Sequence, residues 1–210
     1  MSRNELTAPD FRFDADGWCS NVLREPSPNF DVRPAGAKVE LLVIHNISLP
    51  PGRFGGPYIA DLFTNRLEYD AHPYFDQLRS LRVSAHLLIR RDGAAVQFVS
   101  ANDRAWHAGV SSFCGRERCN DFSIGIELEG SDFEPFTDAQ YRTLAALTDA
   151  LEQAYPLMDV TGHQHIAPGR KTDPGPFFDW GRYQSLCGNA PHRHESQAQD
   201  EHALRFHAQV

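Results

Sequence analysis

The chain has 210 residues, 41% of them hydrophobic, which suffices to bury one full core and makes a single domain the expected organisation. A formal net charge of -8 excludes a general affinity for nucleic acid or anionic lipid, because neither polyanion gains from meeting such a surface. No apolar run is long enough to span a bilayer, and Met1 to Asp10 hold no signal-peptide core, so a soluble, cytoplasmic protein is expected. The four cysteines, Cys19, Cys114, Cys119 and Cys187, show neither C-x-x-C pairing nor the density of a disulfide scaffold; reduced thiols and a small-molecule partner are the expectation.

Residues 1–36 are polar, carry Pro26, Pro28 and Pro34, and read as an irregular lead-in. The run Val39-Glu40-Leu41-Leu42-Val43-Ile44-His45 suits a strand covered on both faces. Pro50-Pro51-Gly52 and Gly55-Gly56-Pro57 then impose a long turn, which puts His45 at a strand end. Ile59, Leu62 and Phe63 fall at helical spacing and predict a short helix between Tyr58 and Arg66. Val83 to Ile89, the turn Arg91-Asp92-Gly93 and Ala95 to Ser100 make a hairpin pattern. In Ser123 to Glu129, Ile124, Ile126 and Leu128 alternate with Gly125, Glu127 and Glu129, a strand with one oily and one acidic face. Thr137 and Gln140 form a capping box, and Tyr141, Leu144, Ala145, Thr148, Leu151 and Tyr155 continue it as a helix whose apolar stripe lies on the sheet. Past Asp179-Trp180 the pattern weakens. From Gly188 the chain is polar, with His192, His194, His202 and His207 among Gln, Glu and Asp, and a mobile tail is expected. With no internal repeat, this order predicts an α/β or α+β fold, a central mixed β-sheet flanked by helices.

The segment from Gly162 to Pro176 brings His163, His165, Lys171 and Asp173 into a stretch too rich in Pro and Gly for a helix, and predicts a rigid loop. Imidazole and carboxylate together are an ordinary ligand set for zinc, and His45 is the candidate third ligand from its strand end. Three protein ligands leave a fourth tetrahedral position open, the arrangement of a catalytic rather than a structural metal. The plainer reading is that these are loop histidines and that Asp173-Pro174-Gly175 is a turn. Glu127 lies on an apolar strand, where a carboxylate reaches solvent, pairs with a cation or works in a cleft; Glu129 shares its face, and the pattern does not choose between them as a base. His86, inside Val83-Ser84-Ala85-His86-Leu87-Leu88-Ile89, reads as a hydrogen-bonded core residue rather than a ligand. A cysteine nucleophile paired with His107 has no support in the spacing.

Four stretches carry a resemblance: His45-Asn46-Ile47-Ser48-Leu49-Pro50-Pro51-Gly52, Arg104-Ala105-Trp106-His107-Ala108-Gly109, the run from Cys119 through Glu127-Leu128-Glu129 to Gly130, and Ile166-Ala167-Pro168-Gly169-Arg170-Lys171-Thr172-Asp173-Pro174-Gly175. In this order, from Trp18 to Trp180, the chain is similar to the AmpD-type zinc amidases of the N-acetylmuramoyl-L-alanine amidase and peptidoglycan recognition protein family. The resemblance implies an amidase domain over 18–187, between an N-terminal extension (1–17) and a flexible polar tail (188–210). It implies zinc on His45, His163 and Asp173, Glu127 as catalytic carboxylate and Lys171 as catalytic lysine, with Asn46, Arg82, Trp106 and Arg118 near the bound product. The implied reaction is hydrolysis of the amide between the lactyl group of 1,6-anhydro-N-acetylmuramic acid and L-alanine in cytoplasmic muropeptides, as part of peptidoglycan recycling. A monomer with an anhydro-muropeptide partner, and with neither nucleic acid nor membrane, is expected. Gln164-His165 departs from the Cys-Asp often found in the family, but His163 and Asp173 keep the family's spacing, so the implied ligand remains His163.

Overall fold

The computed structural model describes residues 10–188 and 204–208. In chain order the strands are β1 (Leu23–Arg24), β2 (Phe30–Asp31), β3 (Leu41–Ile47), β4 (Leu87–Ile89), β5 (Ala95–Gln97), β6 (Arg104–Ala105), β7 (Ser112–Phe113), β8 (Arg116–Glu117), β9 (Ser123–Glu129), β10 (Asp159–Gly162) and β11 (Arg205–His207). The α-helices are α1 (Tyr58–Phe63), α2 (Asp138–Ala154), α3 (His163–Ile166) and α4 (Trp180–Gly188). Seven strands form one sheet in the order β1-β5-β4-β9-β3-β10-β11. The β4–β5 hairpin is antiparallel and the other pairs of this sheet are parallel, so the sheet is mixed, as the sequence predicts.

Alternation along the strands divides the core between the two faces. Leu42 and Ile44 of β3, Ile124, Ile126 and Leu128 of β9, and Val160 of β10 pack with Tyr141, Leu144, Leu147 and Leu151 of α2 and Tyr183 of α4. The capping box starts α2 as predicted: Thr137 Oγ1 accepts from Gln140 N at 3.1 Å and Gln140 Oε1 accepts from Thr137 N at 3.0 Å. On the other face Leu88 and Val96 pack under α1 and Phe75, while Leu41 and Val43 meet Ala108, Cys119, Phe122 and Ile166. That second face carries His45 and Glu127, which stand opposite each other in the β3–β9 register.

Of the settings left open for the acidic face of β9, solvent exposure is excluded: all seven residues are buried, because the segment around His107 and the 50–57 loop cover it. Five expectations change. His45 lies two residues inside β3, which runs on through Ile47. The His163 loop opens with a helical turn; Pro and Gly begin at Pro168, after it, and His165 Nδ1 accepts the Gly162 N–H that starts the turn (3.2 Å). Beyond Asp179, order continues in α4, whose Tyr183 is fully buried. The lead-in contributes β1 and puts Phe11 and Cys19 into the core, and within the polar tail β11 pairs in parallel with β10. His192, His194 and His202 lie outside the described residues, whereas His207 is on β11 and contacts Asp159 at 2.8 Å.

Candidate metal centre

Parallel strands bring their carboxyl ends to one edge, where an open sheet builds its sites. β3 delivers His45 near that end, its neighbour β9 delivers Glu127 beside it, and β10 passes directly into α3, whose first residue is His163. Asp173 returns to the same point because its carbonyl accepts from Gln164 N at 2.8 Å, closing the loop onto α3. Among the described residues, His45, His163 and Asp173 form a group with ligand atoms mutually within 4.8 Å.

The proton inventory of this group is decisive. His163 Nε2 lies 3.0 Å from the Ala108 carbonyl, which can only accept, so Nε2 carries the hydrogen and Nδ1 a lone pair. His45 Nε2 lies 3.0 Å from His107 Nδ1, His107 Nε2 lies 3.2 Å from Ser123 Oγ, and Ser123 Oγ donates to the Cys119 carbonyl at 2.6 Å. Counting back from that carbonyl, His107 donates to Ser123 and accepts from His45, which leaves the His45 lone pair on Nδ1. Burial holds the His45 and His107 rings neutral: His45 is lowered to about 4, with the neighbouring His163 adding to the effect, and His107 falls well below the usual imidazole range. Two lone-pair nitrogens and Asp173 Oδ2 therefore face one another at 2.9–3.0 Å with no proton between them. Three acceptors crowded so closely repel one another unless a cation lies among them, and a donor set of two imidazoles and one carboxylate fits zinc.

Glu127 is 9% exposed, and its Oε2 has no hydrogen-bond partner among the described residues. Burial, and then the nearby Asp173 charge, push its carboxyl well above the usual range, opposed by Lys171. Glu129 has a different occupation: it accepts from Gly55 N at 2.6 Å and Arg91 N at 3.1 Å and so pins two loops.

A cleft of about 610 Å³ opens over these groups, lined among others by His45, Asn46, Trp106, Glu127, Lys171 and Asp173. Asn46 ties the end of β3 to the metal loop by donating to Asp132 Oδ1 (2.7 Å) and the Pro174 carbonyl (3.0 Å). Arg82 and Arg118 are not among the lining residues. Arg82 is exposed and donates to the carbonyls of Arg79 and Leu81, and Arg118, also exposed, pairs with Asp121 at 3.1 Å. Two residues that sequence reasoning left without a part in the site belong beside it. Arg170 donates to the carbonyls of Ala108 (2.7 Å) and Val110 (2.6 Å), and His107 backs His45. Their signal was present in the Arg104–Gly109 and Ile166–Gly175 stretches, but neither stretch says what the other touches. His86 is a hydrogen-bonded core residue as expected: Nδ1 accepts from Gly125 N at 3.0 Å and Nε2 donates to the Asp103 carbonyl at 3.1 Å.

The sequence profile of the family described as N-acetylmuramoyl-L-alanine amidase matches residues 35–176. The chain is 59% identical over 180 residues to the 1,6-anhydro-N-acetylmuramyl-L-alanine amidase AmpD of Citrobacter freundii, spanning 85% of this chain and 96% of that protein. A crystal structure of a selenomethionine AmpD derivative is similar with a TM-score of 0.80 at 60% identity, covering 83% of this chain and 98% of that one. The E. coli amidase AmiD in complex with anhydro-N-acetylmuramic acid-L-Ala-D-gamma-Glu-L-Lys matches with a TM-score of 0.53 at 26% identity, over 84% of this chain and 65% of that one. Together these bear out the fold, the mixed sheet flanked by helices, and the family that the four stretches resemble. This chain belongs to the N-acetylmuramoyl-L-alanine amidase family.

Proposed function

We propose that the protein is a zinc hydrolase that cuts the amide between the lactyl group of 1,6-anhydro-N-acetylmuramic acid and L-alanine in free muropeptides, a reading supported by its likeness to a relative named 1,6-anhydro-N-acetylmuramyl-L-alanine amidase. The observation that carries the reading is the pairing of three lone-pair donors at 2.9–3.0 Å with a buried carboxylate oxygen on the adjacent strand that has no hydrogen-bond partner among the described residues, both facing one cleft. His45 and His163, through Nδ1, and Asp173, through Oδ2, would hold the metal. Zinc at such a site polarises a carbonyl and acidifies water.

Glu127 takes the proton of the attacking water on its free Oε2 as the new C–O bond forms at the lactyl carbonyl. When the C–N bond breaks, the same oxygen returns that proton to the alanine nitrogen, so the carboxylate is regenerated and the products are anhydro-N-acetylmuramic acid and a free peptide. The Lys171 ammonium, on the cleft wall, offsets the negative charge that develops on the lactyl oxygen. Trp106 offers an apolar face to the sugar, and Asn46 keeps the β3 end and the metal loop in register around it. Arg82 and Arg118, both exposed, are assigned on the resemblance to the carboxylates of a stem peptide that extends beyond the cleft. A monomer acting in the cytoplasm, in peptidoglycan recycling, completes the proposal; no helix among the described residues is long and apolar enough to cross a membrane.

Product analysis by chromatography and mass spectrometry tests this directly. The zinc-loaded protein is expected to release peptide from anhydro-muropeptide, to stop on chelation and to resume when zinc is restored. Cleavage of polymeric peptidoglycan but not of the free muropeptide would contradict the substrate assignment.

A further inference from the structure

His107 lines the cleft but is not one of the three grouped ligand residues, and it is tied into the site from several sides. Its backbone N–H and that of Ala108 both donate to Asn120 Oδ1, at 3.2 and 2.8 Å. Its ring lies flat against β9, where a Cβ on Gly125 would sit 2.5 Å from its Cγ and Nδ1; glycine is what lets the ring reach its place. His86 does not compete for it, because both nitrogens of that ring are engaged, by Gly125 N and by the Asp103 carbonyl. What faces His107 is therefore His45 Nε2 on one side and Ser123 Oγ on the other.

We infer that His107 is a positioning residue for the metal ligand His45, fixing by hydrogen-bond acceptance both the tautomer and the ring direction that aim Nδ1 at the metal position. This rests on the metal reading of His45, His163 and Asp173. Two tautomers of His45 compete. With the hydrogen on Nε2 it is donated to His107, and Nδ1 is free to ligate. With the hydrogen on Nδ1 it is donated to Asp173 Oδ2, 2.9 Å away, and the ligand pair closes on itself against a cation. A buried Nε2–H without an acceptor is costly, so the lone pair on His107 Nδ1 is what selects the first tautomer. That lone pair is in turn secured by the Ser123 hydroxyl, which accepts the His107 Nε2–H because its own hydrogen is committed to the Cys119 carbonyl.

The test is zinc affinity by competition with a chromophoric chelator, together with ring nitrogen NMR of the metal-free protein to read the His45 tautomer. His107→Phe keeps ring volume without an acceptor, whereas His107→Asn puts an amide oxygen close to the Nδ1 position. His107→Phe is expected to weaken zinc roughly 10–100-fold and to abolish the Nε2–H form of His45, with His107→Asn restoring most of both. Ser123→Ala leaves His107 in place but frees its tautomer, and should shift both readouts the same way by less. Equal affinity in wild type and His107→Phe, or equal loss in the Phe and Asn variants, overturns the inference, the latter because loss would follow packing rather than acceptance. Unchanged affinity and tautomer in Ser123→Ala overturns it independently if the Phe variant does not fold. If His45→Ala binds zinc as tightly as wild type, the metal reading itself has failed, which is a distinct result.

Discussion

At the scale of single residues, the two acidic side chains of β9 show what pattern alone leaves open. Glu127 and Glu129 share a face and alternate identically, and only their surroundings separate them: Glu129 has both oxygens occupied by backbone N–H groups, while Glu127 keeps one oxygen free among the described residues. The free oxygen has a thermodynamic consequence. A carboxyl whose folded-state pKa lies above its ordinary 4.5 binds its proton more tightly when folded, so its contribution to stability is complete below that value and declines as pH rises toward the folded pKa. Metal-free wild type is therefore expected to lose stability from pH 5 upward relative to Glu127→Gln, which has no charge to bury, and the two are expected to converge at about pH 4. Urea denaturation with chelator present reads this out, and parallel pH profiles would show that Glu127 is not desolvated. Arg82 and Arg118 make the opposite kind of case. Their assignment came by resemblance, and both are exposed, so replacing either with Ala is expected to raise KM roughly 10-fold with little change in kcat, as for a rim contact to a carboxylate. A fall in kcat at constant KM would place them in the chemistry instead.

At the scale of elements, legibility followed periodicity. The span of β9 and the start of α2 were readable because alternation and a capping box are local signals. The cover over β9 was not, since it comes from the His107 segment and the 50–57 loop, distant in sequence. β1 and β11, of two and three residues, are too short to carry any period, and so the segments containing them read as irregular. β11 is nevertheless placed beside the strand that launches His163. It pairs Asp159 with Arg205, Val160 with Phe206 and Thr161 with His207, and Asp159 also accepts from Arg205 at 2.7 and 2.8 Å. Burial raises the Asp159 carboxyl, but its bonds to Arg205 and His207 outweigh this and leave it below the usual range. For a lowered carboxyl the stabilisation is present above its unfolded pKa and is lost as pH falls through the folded one. A chain ending at Gly188 is expected to be less stable by about 1–3 kcal/mol at neutral pH, from the lost packing of Phe206, and the Asp159–Arg205 pair gives the difference its pH dependence. The deficit is expected to shrink in acid. Thermal or urea denaturation across pH checks both points, and an unchanged midpoint at neutral pH would show that β11 adds nothing to the sheet.

At the scale of the whole molecule, separated stretches of sequence become one site because parallel strands share a carboxyl edge. β3 supplies His45, β9 supplies Glu127, and the passage from β10 into α3 supplies His163, while the loop returning from α3 supplies Asp173 and Lys171. Nothing in composition or spacing dictates that convergence; the resemblance anticipated it, and the sheet order accounts for it physically. The central claim is that metal binding and proton transfer are divided between different residues of this edge. Zinc stoichiometry and anhydro-muropeptide turnover measured together on wild type and Glu127→Gln test it most directly. The account predicts one zinc per chain in both proteins and turnover lower by roughly 10²–10⁴-fold in the variant. Loss of zinc from Glu127→Gln, or turnover undiminished with zinc in place, would contradict it.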